Sequence, residues 1–255
     1  MRIVVKVGTS TLTYNTGRLN VRRTEELCKV LSDLKNSGNE VILVTSGAIG
    51  MGIGKLGLKN KPTDIPTKQA AAAVGQCELM YVYDRLFSEY NHTVSQILLT
   101  GDDFNHEDRY TNLINTMNRL LELGALPIIN ENDSVATNEI KVGDNDTLSA
   151  YVAKSINADL LVLLSDIDGL YTADPKKDKT AKLISVVDDI NDDINSLAGG
   201  EGSLLGTGGM KTKLHAGEIC MQAGVDMIIT NGEHPENIYK IIDGESVGTL
   251  FKAKK

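Results

Sequence analysis

The stretch Ile3-Val4-Val5-Lys6-Val7-Gly8-Thr9-Ser10 decides how the rest of the chain is read. Its apolar residues run without polar alternation, as expected of a parallel strand covered on both faces. Lys6 interrupts the run. A lysine inside an apolar strand is costly unless its charge meets a partner; the alternative is an edge strand whose lysine points to water. Gly8 lets the backbone turn closely, and Thr9 and Ser10 add hydroxyls and amides suited to an anion.

Similar runs recur at Val41–Val44, Val94–Leu99, Leu126–Ile129, Leu160–Leu164 and Met227–Ile229. Between them lie segments of helical period. Leu27, Val30, Leu31 and Leu34 form one apolar stripe, and Leu113, Met117, Leu120 and Leu121 another; a third, with Leu148, Val152, Ser155 and Ile156, follows Asp146. Gly38, Gly124 and Gly224 fall just before strands, where a helix-ending residue belongs. Strands alternating with helices predict an α/β fold, a three-layer αβα sandwich around a central, mostly parallel sheet. With no internal repeat, low-complexity tract or linker, residues 1–255 read as a single domain.

Ligands of such sheets gather outside the carboxyl ends of the strands. There the sequence places Thr45-Ser46-Gly47-Ala48, whose small residues let helix amides approach a carboxylate or phosphate. Asn130-Glu131-Asn132-Asp133-Ser134 follows another strand; its Asn and Asp groups suit a substrate's ammonium, or solubility alone. In Lys141-Val142-Gly143-Asp144-Asn145-Asp146 the two acids at a helix entrance either cap it or position lysines or a magnesium ion. The spacing of a calcium loop is absent. Ser165-Asp166 closes the strand at 160–164. Gly206-Thr207-Gly208-Gly209-Met210-Lys211-Thr212-Lys213 is not a P-loop, because Met210 precedes Lys211 where glycine is required. It remains a loop with free amides opening a helix with two lysines, suited to polyphosphate.

Composition removes other classes. A net charge of -8, with 4% aromatics and no Trp, disfavours a nucleic-acid partner. The clustered bases Lys252, Lys254 and Lys255 read as a solvated tail. Cys28, Cys77 and Cys220 are far apart, which argues against disulfides and zinc and for small apolar residues on helix faces. No apolar run suits a membrane helix, and the N-terminus enters a strand directly, so a cytoplasmic protein is expected. The four histidines are scattered, and neither a Ser–His–Asp spacing nor H-E-x-x-H occurs. A carboxylate nucleophile needs no general base, being ionised at neutral pH. Phosphoryl transfer to a carboxylate then requires chiefly in-line positioning and positive charge.

In order along nearly the whole chain, Lys6–Ser10, Val44–Ile49, Ile129–Asp133, Ile140–Asp146, Gly169–Pro175, Gly206–Met210 and Val247–Phe251 resemble the amino acid kinase family. The resemblance implies transfer of the γ-phosphoryl of ATP, with Mg2+, to the γ-carboxylate of L-glutamate, opening proline biosynthesis. It implies that Lys6 and Lys213 neutralise the moving phosphoryl group and that Asp144 orients them. Ser46, Asn130, Asp133 and Asn145 would hold glutamate. Lys6, Ser165, Asp166 and the run Thr207, Gly208, Gly209, Met210, Lys211, Thr212 and Lys213 would contact the nucleotide. Asp146 would lie near the metal and substrate. A homo-oligomer and feedback inhibition by proline are further expectations, as is the lack of the C-terminal PUA domain that many relatives carry. Kinases of acetylglutamate or aspartate and a ligand sensor without turnover are the competing readings; a sensor has no need of both lysines.

Overall fold

A computed structural model describes residues 1–14, 18–136, 144–197 and 209–254. The chain opens with strand β1 (Arg2–Val7), the short helix α1 (Thr9–Leu12), α2 (Val21–Asn36), β2 (Glu40–Val44), α3 (Ala48–Lys55) and α4 (Ile65–Ser88). It continues through β3 (Val94–Leu99), α5 (Glu107–Glu122), β4 (Leu126–Glu131), α6 (Asn145–Ser155) and β5 (Leu160–Ser165). The last part holds β6 (Val186–Val187), α7 (Asp192–Ser196), α8 (Met210–Gln222), β7 (Asp226–Asn231), α9 (Asn237–Ile242) and β8 (Thr249–Phe251).

Among the described residues the strands form one sheet in the order β3-β4-β2-β1-β5-β7-β8-β6. Pairing is parallel from β3 through β7, and β8 turns antiparallel against β7. All six apolar runs are strands, and the sandwich is the one expected. Beyond them, β8 and the two-residue β6 carry the sheet outward from β7.

Residues two apart on a strand share a face. Ile3, Val5 and Val7 of β1 pack with Leu27 and Leu31 of α2, Leu79, Tyr83 and Phe87 of α4, and Ile238 of α9. Val4 faces the other layer, with Met117 of α5, Val152 of α6 and Leu214 and Cys220 of α8. Lys6 therefore shares the face of Val4, toward α6 and α8. Gly38, Gly124 and Gly224 end their helices with φ of +94°, +75° and +77°, the left-handed geometry that favours glycine.

Helices α3 and α4 cross backbone to backbone. A Cβ on Gly52 would lie 1.8 Å from the Ala71 carbonyl oxygen, and one on Gly75 would lie 1.7 Å from that of Ala48. Only glycine fits either position. Of the cysteines, Cys28 and Cys220 are buried on helix faces as expected, whereas Cys77 is exposed on α4. No helix among the described residues is long and apolar enough to cross a membrane.

Candidate active site

Strand β1 lies between β2 and β5, with Lys6 in register with Val44 and Leu163. Connections from β1 run first toward β2 and later cross to β5, so the carboxyl end of β1 is where the winding reverses and a crevice forms. Lys6 ends there, 8% exposed. Its Nζ lies 2.6 Å from Oδ1 of Asp146, in the first turn of α6. The other oxygen of Asp146 lies 3.0 Å from Nζ of Lys213, in the first turn of α8. Thr212 adds a hydroxyl 2.9 Å from the same Oδ2. One buried carboxylate thus joins two buried ammonium groups from separate elements. Burial raises the carboxyl pKa of Asp146, but the two lysines outweigh it and hold the group well below the usual carboxylate range. The triad keeps one excess positive charge, which suits an anion.

The two acids of the helix entrance exchange their expected places. Asp144 is the N-cap of α6: its side chain accepts from the backbone N–H of Asp146 at 2.8 Å and of Thr147 at 3.4 Å, and from the Thr147 hydroxyl. The carboxylate that orients the lysines is Asp146. The reason is where the helix starts, since a cap must lie outside the first turn and the residue two further on projects inward. Both oxygens of Asp146 face ammonium groups in this arrangement. Among the described residues no cluster of three or more His, Cys, Asp or Glu side chains is placed to hold a metal ion.

Beside the triad lies a cluster of amides. Asn145 Nδ2 faces three oxygens: the Thr45 carbonyl at 2.7 Å, Ser46 Oγ at 2.9 Å and Asn130 Oδ1 at 3.0 Å. This brings Ser46, Asn130 and Asn145 together as expected. Its own Oδ1 is buried and has no hydrogen-bond partner among the described residues. Buried polar atoms are rarely left so, and this one is a hydrogen-bond acceptor. Asn130 is 1% exposed; its Nδ2 donates to Gln76 Oε1 at 2.8 Å, and its Oδ1 also accepts from the Glu131 amide. Asp133 sits half-buried in the turn that follows β4. Gly47, at φ +103°, caps α3 without a side-chain hydrogen bond, so the first amides of α3 lack a side-chain acceptor. Beneath them the fully buried Tyr83 meets the Thr45 hydroxyl at 2.8 Å.

On the opposite side of Lys6, Ser165 is buried at the end of β5 and its Oγ lies 3.3 Å from Oδ1 of the exposed Asp166. Gly209 and Met210 open α8, while Lys211 faces solvent on the helix side opposite Lys213. Thr207 and Gly208, expected at the nucleotide, lie outside the described residues, as do residues 137–143. Gln76 and Tyr83 were not foreseen. Tyr83 lies in the buried stripe of Leu79 and Phe87, and its hydroxyl meets a partner 38 residues away, whereas no local pattern marks Gln76, only its partner 54 residues away.

Paired buried lysines at the carboxyl edge of an αβα sandwich define a protein built to hold a transferring anionic group. The model of the amino acid kinase family matches residues 1–231. A Clostridium perfringens protein called glutamate 5-kinase is 52% identical over 258 residues, covering 100% of this chain and 96% of that protein. A Clostridium tetani protein of the same name is 56% identical, covering 99% of this chain and 95% of the other. Among solved structures, the isopentenyl phosphate kinase of T. acidophilum superposes with a TM-score of 0.65 at 18% identity, covering 98% and 99% of the two chains. The UMP kinase of Bacillus anthracis does so at 0.64 and 18%, covering 98% and 94%. These two establish the fold alone. The chain belongs to the amino acid kinase family and is a phosphotransferase.

Proposed function

We propose that this enzyme transfers the γ-phosphoryl group of ATP to the γ-carboxylate of L-glutamate, giving ADP and L-glutamyl 5-phosphate, the first step of proline biosynthesis. The observation that carries it is the Lys6–Asp146–Lys213 bridge. A carboxylate oxygen attacks the γ-phosphorus in line, and the bond to the β,γ-bridging oxygen breaks. Negative charge accumulates on the moving group and on the departing ADP. Lys6 and Lys213, approaching from opposite elements, stabilise that charge where it develops, and Asp146 holds their ammonium groups ready. No general base is required, because the acceptor is already ionised.

The substrate's head fits the amide cluster. The free Oδ1 of Asn145 and the carboxylate of Asp133 accept from its ammonium, and Ser46 and Asn130 hold the walls. This favours glutamate over acetylglutamate, which has no ammonium group to offer. Ser165, Asp166 and residues 207–213 serve the nucleotide. Mg2+ would be carried chiefly by the nucleotide's phosphates and its own waters, as this ion usually is. Proline keeps an amino-acid head and competes for the same cluster.

Hydroxylamine traps acyl phosphates as hydroxamates, so ATP-dependent hydroxamate formation tests this reading with L-glutamate, N-acetylglutamate and L-aspartate offered separately. Signal with glutamate alone is expected. Signal only with another acid replaces the substrate and keeps the mechanism; silence with all three removes the reading.

A further inference from the structure

We propose that Gln76, in the middle of α4, is a positioning residue that sets the enzyme's preference for an acid bearing an ammonium group; the inference rests on the glutamate reading above. Gln76 is 8% exposed, and Gly75 beside it lies so close to the Ala48 carbonyl that a Cβ there would come within 1.7 Å of it, so this part of α4 packs tightly on α3. Gln76 Oε1 accepts from Asn130 Nδ2 at 2.8 Å, and its Nε2 lies 3.3 Å from Gln96 Oε1 on β3.

The hydrogen bonds of the cluster run in one direction. The Glu131 amide can only donate, so the atom of Asn130 facing it at 2.9 Å is Oδ1. The same Oδ1 accepts from Asn145 Nδ2. Asn130 Nδ2 is thereby turned to the interior, where Gln76 Oε1 is the acceptor that meets it. Asn145, with its nitrogen directed at Thr45, Ser46 and Asn130, presents its unpartnered Oδ1 outward from that network. A carbonyl oxygen in this position attracts a donor such as ammonium and gives nothing to a plain carboxylic acid.

Without an acceptor at position 76, Asn130 Nδ2 is left buried and unpaired, and a buried donor in that state is driven to rearrange. Asn130 then loosens its hold on Asn145, and the acceptor for the ammonium loses its fixed direction. Gln76 touches neither substrate nor nucleotide in this account. It acts through Asn130 and Asn145.

The test compares L-glutamate with glutarate, the same dicarboxylate without the ammonium. The KM for L-glutamate, the KM for ATP and the Ki of glutarate as a competitive inhibitor are measured for the unsubstituted enzyme, Gln76→Met and Gln76→Glu. Methionine keeps the volume and removes the strong acceptor; glutamate keeps an acceptor oxygen. Losing one buried hydrogen-bond partner is expected to raise the KM for L-glutamate about tenfold in Gln76→Met, with the other two constants within about twofold. Gln76→Glu is expected to stay within about threefold of the unsubstituted enzyme for all three, as the acceptor is retained. Equal losses for glutamate and glutarate, a parallel loss for ATP, or no change at all would overturn the inference. Should Gln76→Met fail to fold, Gln76→Glu still decides: retained preference for glutamate supports the inference and a lost preference overturns it. An unsubstituted enzyme that does not phosphorylate L-glutamate removes the functional reading itself, before any variant is compared.

Discussion

Lys6 Nζ and Asp146 Oδ1 stand 2.6 Å apart where water scarcely reaches, Asp146 being 0% and Lys6 8% exposed. The strand supplies the cation and the helix entrance supplies the anion, so the contact joins two elements of the sandwich. Buried ion pairs contribute little net stability, because desolvation offsets most of the attraction. Their retention here fits a role in holding charge for the reaction.

Replacing that carboxylate separates the two roles. Asp146→Asn leaves Lys6 and Lys213 buried without their counter-charge, which is expected to cost about 3–5 kcal/mol of stability. Misdirected lysines are expected to lower kcat by about 10²–10³-fold, the scale of losing one preorganised charge stabiliser. Denaturant unfolding and steady-state rates measure the two effects, and a variant with undiminished kcat would remove Asp146 from the mechanism.

Acid unfolding should carry the mark of the same group. Asp146 has a folded pKa depressed below its unfolded value, with burial opposing the shift and the two lysines outweighing it. Its contribution to stability is therefore fully present above about pH 4, the unfolded carboxylate value, and is lost as the pH falls toward the folded pKa. Melting temperatures measured from pH 7 downward should show a steeper decline below about pH 4 in the unsubstituted protein than in Asp146→Asn.

Asp133 is proposed to meet the ammonium group of the acid substrate. Asp133→Asn should raise the KM for L-glutamate at least about tenfold, as a charge-assisted hydrogen bond is replaced by a neutral one. The KM for ATP should barely move. Equal loss for both substrates would count against the assignment.

Proline offers an independent probe of the same place. A proline series should inhibit competitively with L-glutamate and leave the apparent affinity for ATP unchanged. Full activity at millimolar proline would sink the expectation.

Glycine substitutions should divide sharply by position. Gly75→Ala drives a methyl group to 1.7 Å from the Ala48 carbonyl oxygen, an overlap that only movement of a helix relieves. A loss of about 1–3 kcal/mol or more is expected. Gly54→Ala, also in a helix but with nothing within 4 Å, should be neutral or stabilising by up to about 1 kcal/mol. Thermal melts of the two variants test the contrast.

The central strands were legible because buried parallel strands concentrate Val, Ile and Leu, and Lys6 stood out against that background. The meeting of Ser46, Asn130 and Asn145 was legible too, since strand-end clusters and the helix entrance at 144–146 gather at one edge of a parallel sheet. Which acid reaches the lysines was not legible from spacing. Asp144 and Asp146 differ only in lying before or inside the first turn of α6, and that boundary is fixed by capping geometry. Helix α4 carries an apolar stripe at Leu79, Tyr83 and Phe87, four residues apart, but its close contact with α3 is made by glycine and alanine, which give little hydropathy signal. Gln76 becomes visible only through a partner distant in sequence.

The meeting of α3 and α4 at Gly52 and Gly75 sets the spacing of those helices by main-chain atoms alone. Cores ordinarily absorb heat by letting side chains hop among rotamers, and at these two glycines no side chain separates the helices. Since α3 begins at the Ser46–Gly47 turn and α4 carries Gln76 and Tyr83, a close main-chain contact underlies this half of the crevice. Warming should therefore leave the enzyme either intact or unfolded, with the temperature of inactivation coinciding with that of melting.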